Sequence, residues 1–116
     1  MENKQTLLTK YEMKDIVLEN RVVMAPMTRS RADNPGNTAT DLIAEYYAQR
    51  ASAGLIISEG SQISKRAVGY INTPGIYSDE QVEGWKKVTD AVHAKGGKMF
   101  IKLWHVGGMS HPAFHN

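Results

Sequence analysis

Lys102 is the residue in the sequence with the clearest potential for chemistry, because it lies within an otherwise apolar run, Met99–Trp104. Lysine is almost never fully buried without a partner. Lys102 is therefore predicted to point into a polar site at the carboxyl end of a strand. The structural alternative is a lysine that reaches solvent along the strand end or pairs with a carboxylate.

Another apolar run ends in a small residue, Ala25, and is followed closely by a proline, Pro26, and a hydroxyl, that of Thr28. The segment Val22–Ala25 is typical of a strand buried on both faces, and Pro26 ends the ladder because it has no N–H to donate. Ligands are held at the carboxyl ends of parallel strands, so these residues could lie beside one. The alternatives are a core strand that merely ends at a proline and a threonine that caps a local turn.

Three histidines near the end of the chain have a spacing that could ligate zinc. They are His105, His111 and His115. No carboxylate lies near them in the sequence and the segment is loop-like, so zinc binding is the least favoured hypothesis.

The composition is that of an ordinary globular chain. Its 116 residues suffice for one domain with one core, and a net charge of +2 is too small to indicate binding to nucleic acid or an anionic membrane. The absence of cysteine excludes disulfides and thiolate metal sites. No apolar run approaches the roughly 20 residues of a membrane span, and no signal-type segment follows the first residues. These features predict a cytoplasmic protein.

Strands and helices are predicted to alternate along the chain. A hairpin is expected from Leu7–Leu8 and Ile16–Leu18, followed by strands at about 21–27, at Leu55–Ser58 and at 98–104. One helix should begin at Thr40 and stop at Gly54, with Leu42, Tyr46 and Ala53 on its buried face. Another should begin at Ser78 with a capping box to Gln81, and bury Val82, Trp85, Val88 and Val92. This alternation predicts parallel βαβ units.

Four motifs resemble the Old Yellow Enzyme family and follow the order of that family. They are Asn20–Arg31, Ser58–Ser64, Pro74–Gln81 and Lys102–Gly107. The resemblance implies an FMN-dependent ene-reductase built on a (β/α)8 barrel. Such an enzyme takes electrons from NADH or NADPH and reduces activated alkenes, nitro compounds or nitrate esters. The resemblance covers nearly the whole chain but only the first part of the family's chain.

The resemblance also implies contacts with the cofactor. Four residues would lie against the flavin ring: Ala25, Pro26, Met27 and Thr28. Thr28 would tune the potential of the flavin by hydrogen bonding. Gly60 would let a planar ligand approach the backbone, a simple turn being the alternative. Glu59 is expected to be a structural carboxylate paired with an arginine.

Lys102 departs from the family pattern, because glutamine usually stands there at the pyrimidine edge of the flavin. Tyr70 and Trp104 are implied to be walls of the substrate pocket, with ordinary aromatic packing as the alternative. Gly108 replaces the arginine that commonly follows Leu-Trp-His-Val-Gly, and Ala113 stands where an acidic or polar residue is usual. The family's substrate-anchoring pair and tyrosine proton donor lie on later strands.

The predicted architecture is α/β, with an N-terminal hairpin plus the first three βα units of a (β/α)8 TIM barrel. Residues 1–116 are interpreted as the N-terminal part of a single FMN-binding barrel domain. A complete barrel takes roughly 250 residues and eight strands. Three strands leave open edges that can pair with another chain, so the remaining strands are expected on a complementary chain or in the remainder of a longer one. The competing hypothesis is a non-catalytic βαβ fragment that only associates with a complementary chain.

Overall fold

The structure is a computed structural model that describes residues 5–115. Its main elements are β1 (Tyr11–Met13), β2 (Ile16–Leu18), β3 (Val23–Met24), α1 (Asp41–Ala48), β4 (Leu55–Gln62), α2 (Asp79–Ala94) and β5 (Met99–Trp104). Strands β1 and β2 form a hairpin, and β3, β4 and β5 form a parallel sheet in that order. The predicted alternation of parallel strands and helices is confirmed.

The hairpin begins later than predicted. Tyr11 pairs with Leu18, whereas Leu7 and Leu8 lie in a 3₁₀ turn rather than a strand. The carbonyl of Leu7 accepts a hydrogen bond from the N–H of Arg21 at 2.8 Å. This bond fastens the turn to the start of the main sheet, so the segment is not available to pair with β2.

Strand β3 is shorter than the predicted strand over 21–27. It pairs with β4 only through Val23 and Met24, and within residues 5–115 its other edge has no neighbouring strand. Pro26 cannot donate to a ladder. With one neighbour and an early proline, the segment keeps its predicted position but not its predicted length.

Both helices begin at the predicted capping residues. The hydroxyl of Thr40 accepts from the N–H of Ile43 at 3.4 Å. The hydroxyl of Ser78 accepts from the N–H of Gln81 at 3.2 Å, and Gln81 Oε1 accepts from the N–H of Ser78 at 3.1 Å. The predicted capping box is therefore confirmed.

The buried faces of the helices differ in part from the prediction. Helix α2 buries Trp85, Val88 and Val92 as predicted, but Val82 is 46% exposed. Helix α1 ends at Ala48, before the predicted stop at Gly54, and buries Ile43, Ala44 and Tyr47. Leu42 is 58% exposed, whereas Tyr46 and Ala53 are partly buried and pack against the core, so the prediction for this helix is wrong at Leu42. Ala53 lies beyond the helix end, and Ile43 and Tyr47, four residues apart, define the buried stripe instead.

Helices α1 and α2 pack on one face of the parallel sheet, which we call the covered face. The core on that face includes Tyr47, Ile56, Trp85, Val88 and Val92. Met99 and Ile101 of β5 pack against this core. Alternation along the strand therefore directs Phe100, Lys102 and Trp104 to the opposite, open face. In a closed barrel the open face would line the interior.

Strand β4 continues past the predicted end at Ser58 and is irregular. Its register with β5 shifts between Ile57 and Gly60. The hydroxyl of Ser58 donates to the carbonyl of Glu59 at 2.7 Å and accepts from the N–H of Lys102 at 3.0 Å. This bulge places Gly60 beside Lys102, at the carboxyl end of the sheet.

Candidate functional site

Three neighbouring strand ends carry the residues that were predicted to bind a flavin. Gly60 on β4 pairs in register with Lys102 on β5, and Ala25–Thr28 directly follow β3. The three strands are parallel and adjacent, so their carboxyl ends meet at one edge of the sheet. Segments that are distant in the sequence are therefore brought to the same edge.

Lys102 is exposed on the open face. Its Nζ lies 5.6 Å from the centroid of the Trp104 ring, within cation–π distance. Among residues 5–115, no carboxylate lies within salt-bridge distance of this ammonium. The alternative in which Lys102 pairs with a carboxylate is thus not observed in the described part of the chain, and the charge remains available on the open face.

Tyr70 and Trp104 are brought together as a stacked pair. Their ring centroids are 5.5 Å apart with an interplanar angle of 18°. The carbonyl of Tyr70 accepts from the hydroxyl of Thr73 at 3.0 Å, and Gln62 Nε2 donates to that hydroxyl at 2.5 Å. Gln62 and Thr73 are buried and hold the long loop that carries Tyr70. Sequence reasoning missed both, because a glutamine and a threonine in a polar loop give no signal of burial.

Gly60 lies directly beneath the indole of Trp104. A Cβ built on Gly60 would lie 2.3 Å from the indole ring, closer than any tolerated contact. The close approach that the sequence predicted at Gly60 is therefore made by a side chain of this chain. The indole Nε1 of Trp104 is buried and has no hydrogen-bond partner among the described residues.

The segment Ala25–Thr28 is exposed and forms no regular structure. Within residues 5–115 the hydroxyl of Thr28 makes no hydrogen bond, so the alternative in which Thr28 caps a local turn is not observed. The side chain of Met27 lines a groove with Leu8 and Val22 at the free edge of β3. Met27 is 43% exposed, and all four residues of the segment stay accessible.

Glu59 has a different partner from the one expected. Its Oε2 accepts from the hydroxyl of Tyr47 at 2.9 Å, and its N–H donates to the same hydroxyl at 2.8 Å. No arginine lies within salt-bridge distance of Glu59 in the described range, so the expected close ion pair is not formed, although the charge of Arg29 acts on this carboxyl. Helix α1 places Tyr47 here, and nothing in the local sequence around Glu59 signals that contact.

Burial dominates the electrostatics of this pair. Desolvation raises the pKa of the Glu59 carboxyl, while the Tyr47 hydroxyl and then Arg29 oppose this effect only in part. Burial, followed by the charge of Glu59, raises the pKa of the Tyr47 hydroxyl well above its ordinary value. Glu59 Oε1 is buried without a partner within residues 5–115. Burial therefore disfavours the charged forms of both groups.

The described part of the chain contains neither a metal centre nor a membrane-spanning helix. No group of three or more His, Asp or Glu side chains converges there as a metal site, so the spacing of His105, His111 and His115 does not translate into a zinc centre. The helices of residues 5–115 are all too short or too polar to cross a bilayer.

Parallel βαβ units with accessible groups at one edge define an α/β protein of the ligand-binding type. A family model described as "NADH:flavin oxidoreductase / NADH oxidase family" matches residues 7–114. The chain belongs to this family, and its likeness to solved Old Yellow Enzyme homologues confirms the resemblance found in the motifs. The cofactors that the resemblance implied, FMN and NADH or NADPH, agree with the family's description.

Relatives and solved structures match nearly all of this chain. A 12-oxophytodienoate reductase of rice (Oryza sativa subsp. japonica) is 51% identical over 109 residues, which are 93% of this chain and 27% of the relative. Morphinone reductase in complex with tetrahydroNAD superposes with a TM-score of 0.89 at 51% identity, over 96% of this chain and 30% of that one. An Old Yellow Enzyme homologue from Zymomonas mobilis gives a TM-score of 0.90 at 47% identity, over 94% of this chain and 30% of that one. This chain thus spans less than a third of its relatives and corresponds to an incomplete barrel.

Proposed function

We propose that this chain forms the N-terminal part of an FMN-dependent NAD(P)H oxidoreductase of the Old Yellow Enzyme type. Its acceptors are activated alkenes, such as α,β-unsaturated carbonyl compounds, or nitro and nitrate ester compounds, and it acts in the cytoplasm. The observation that carries the proposal is the meeting of Lys102, Tyr70 and Trp104 at one strand edge, in a chain matched by a flavin oxidoreductase family over residues 7–114.

The groups at this edge fit a flavin by their chemistry. The Thr28 hydroxyl and the Lys102 ammonium are exposed donors. An isoalloxazine ring presents carbonyl oxygens and ring nitrogens that accept such hydrogen bonds. When bound, FMN supplies the transfer of hydride equivalents from NAD(P)H to the acceptor.

Each residue then has a defined role in this proposal. The flavin would be held by the strand-end residues Ala25, Pro26, Met27, Thr28 and Lys102, while Gly60 would act indirectly by seating the indole of Trp104. Thr28 would stabilise charge on the ring by donating a hydrogen bond, and Lys102 would stabilise it as a cation. Tyr70 and Trp104 would form the apolar wall of the substrate pocket. Protonation and anchoring of the acceptor would rely on barrel residues other than 1–116.

The exposed side chains and unpaired strand edges of the sheet indicate that further barrel strands are needed to cover them. On the open face Phe100 of β5 is 44% exposed, and neither β3 nor β5 has a second strand neighbour in residues 5–115. Such edges pair readily with further strands. The same observation supports the second candidate, a non-catalytic βαβ fragment that acts only by associating with a complementary chain. Binding of a flavin separates the two.

The test is a visible absorbance spectrum of the purified protein together with a denaturing mass measurement of every chain in the sample. A flavin spectrum with further barrel sequence, in the same chain or in a second one, is the expected result. Flavin bound by residues 1–116 alone would mean that self-association builds the site. A colourless sample that still contains the whole barrel would overturn the proposed function and leave only the associating fragment.

A further inference from the structure

The loops that follow β4 and β5 are fastened to each other at the carboxyl edge. The N–H of Val106 donates to the carbonyl of Ala67 at 3.3 Å, and the hydroxyl of Ser110 donates to the carbonyl of Val68 at 2.6 Å. Gly69 lets Val106 pack against the backbone, since a Cβ there would lie 2.3 Å from the Val106 side chain. The two loops therefore form one preorganised surface.

A cleft of about 780 Å³ opens between these loops, and basic side chains line it. They include Lys65, Arg66, His105 and His115. Among residues 5–115, no carboxylate lines the cleft, and none lies within salt-bridge distance of Lys65 or Arg66. A preformed cleft with several cationic or donor groups and no acid favours an anionic ligand.

The histidines are oriented by bonds within the loops. His105 Nδ1 accepts from the N–H of Gly107 at 3.0 Å, so His105 Nε2 carries a proton and remains a donor. His115 Nε2 lies 2.7 Å from the hydroxyl of Ser110. That hydroxyl already donates to a carbonyl, so His115 must be the donor in this contact and serves to position the loop. The groups left for a ligand are Lys65, Arg66 and His105.

We propose that this basic cleft binds the phosphoryl groups of the nicotinamide dinucleotide that reduces the flavin. The inference rests on the proposed function for the identity of the ligand. A guanidinium fork, an ammonium and an imidazole N–H suit the several oxygens of a diphosphate. The loops of the cleft also carry or directly follow Tyr70 and Trp104, so a dinucleotide anchored here lies beside the edge where its nicotinamide must act.

The first test is direct and needs no flavin. Inorganic pyrophosphate is titrated into the purified protein while the imidazole signals of His105 and His115 are followed by NMR. We expect saturable changes in chemical shift, with an affinity that the double variant Lys65→Gln/Arg66→Gln weakens by at least tenfold. The matched control is Lys86→Gln/Lys87→Gln, which removes the same charge from exposed positions of α2. Unchanged signals in the unmodified protein, or equal weakening in both variants, would overturn the proposal.

The second test uses the FMN-loaded protein and decides whether the cleft recognises the phosphoryl groups of a dinucleotide or only free phosphate. Anaerobic flavin reduction is measured with NADPH, NADH and reduced nicotinamide riboside, which has no phosphate. The cleft variant should raise the apparent Kd for both dinucleotides about tenfold, equivalent to about 1.4 kcal/mol, and leave the riboside unchanged. Equal affinity of variant and control for the dinucleotides would reduce the cleft to a site for free phosphate and overturn the assignment. A protein that binds no flavin would contradict the proposed function, while the pyrophosphate titration still decides whether the cleft binds anions.

Discussion

The two faces of the parallel sheet differ in how completely their side chains are buried and hydrogen-bonded. On the covered face, Trp85 is 1% exposed, and its Nε1 donates to the carbonyl of Gly75 at 3.1 Å. On the open face, Phe100 is half exposed and the buried Nε1 of Trp104 has no partner in the described residues. Two tryptophans of one chain thus differ in whether their hydrogen bonding is complete. The covered face is complete in itself, whereas the open face leaves the exposed side chains of Phe100 and Lys102 available to further strands or a cofactor.

The largest loss of stability is expected from a substitution on the covered face. Trp85→Ala removes the largest buried side chain and its hydrogen bond to Gly75. We expect the free energy of unfolding to fall by about 3–5 kcal/mol, since the cavity cannot collapse fully. Denaturant unfolding at constant protein concentration measures this loss.

The matched control is Phe100→Ala on the open face. That side chain already meets solvent, so the loss should stay within about 1 kcal/mol. Equal losses at both positions would mean that the open face carries as much of the stability as the covered face, and the contrast drawn between them would be wrong.

A smaller loss of stability is expected from a substitution at the contact between Trp104 and the backbone of β4. Gly60→Ala would place a methyl group 2.3 Å from the indole ring, so the ring must move. Such overpacking typically costs about 1–3 kcal/mol. The indole N–H signal of Trp104 should move in the NMR spectrum while that of Trp85 stays in place.

The control for this change is Gly108→Ala, where a Cβ meets nothing within 4 Å. It should alter stability by no more than about 0.5 kcal/mol and leave both indole signals in place. An unmoved Trp104 signal in the Gly60→Ala variant would show that the indole does not rest on Gly60 in solution.

The contrast between the faces also explains what the sequence could predict. The caps at Thr40 and Ser78 were predicted because a cap depends on neighbours three residues away. The exposure of Leu42 was missed because burial depends on where α1 ends and what it packs against. The contacts of Tyr47 with Glu59 and of Trp104 with Gly60 join separate segments, and no local pattern encodes them. Residue types therefore indicated the candidate strand ends, while the pairing within the site required the fold.

The stability of the folded protein should depend on pH through Glu59, which is buried against Tyr47 of α1. Burial raises the pKa of Glu59 in the folded protein above its ordinary value near 4.5. The folded state therefore holds this proton more tightly than the unfolded state. The stability that the bound proton contributes is fully present below the ordinary pKa and is lost as pH rises through the folded pKa. Glu59→Gln should remove this loss, so it should raise stability more at pH 8 than at pH 5.

Urea midpoints at pH 5 and pH 8 measure this dependence. Glu45→Gln, on the exposed side of α1, is the control and should follow the unmodified protein at both pH values. A Glu59→Gln variant that loses stability as steeply with pH as the unmodified protein would mean that another group causes the dependence.

The smallest effect, and the one most specific to the open face, concerns Lys102. Its ammonium has no carboxylate partner in residues 5–115, so its charge should act on the reduced flavin in the FMN-loaded protein. Lys102→Gln should lower the reduction potential by tens of millivolts, because a charge interaction of about 1–3 kcal/mol corresponds to about 20–60 mV for two electrons. Potentials measured against a reference dye, with Lys95→Gln at the exposed end of α2 as the control, decide the point. An unchanged potential in the Lys102 variant would place this cation away from the flavin, and the open face would then contribute shape but no charge to the chemistry.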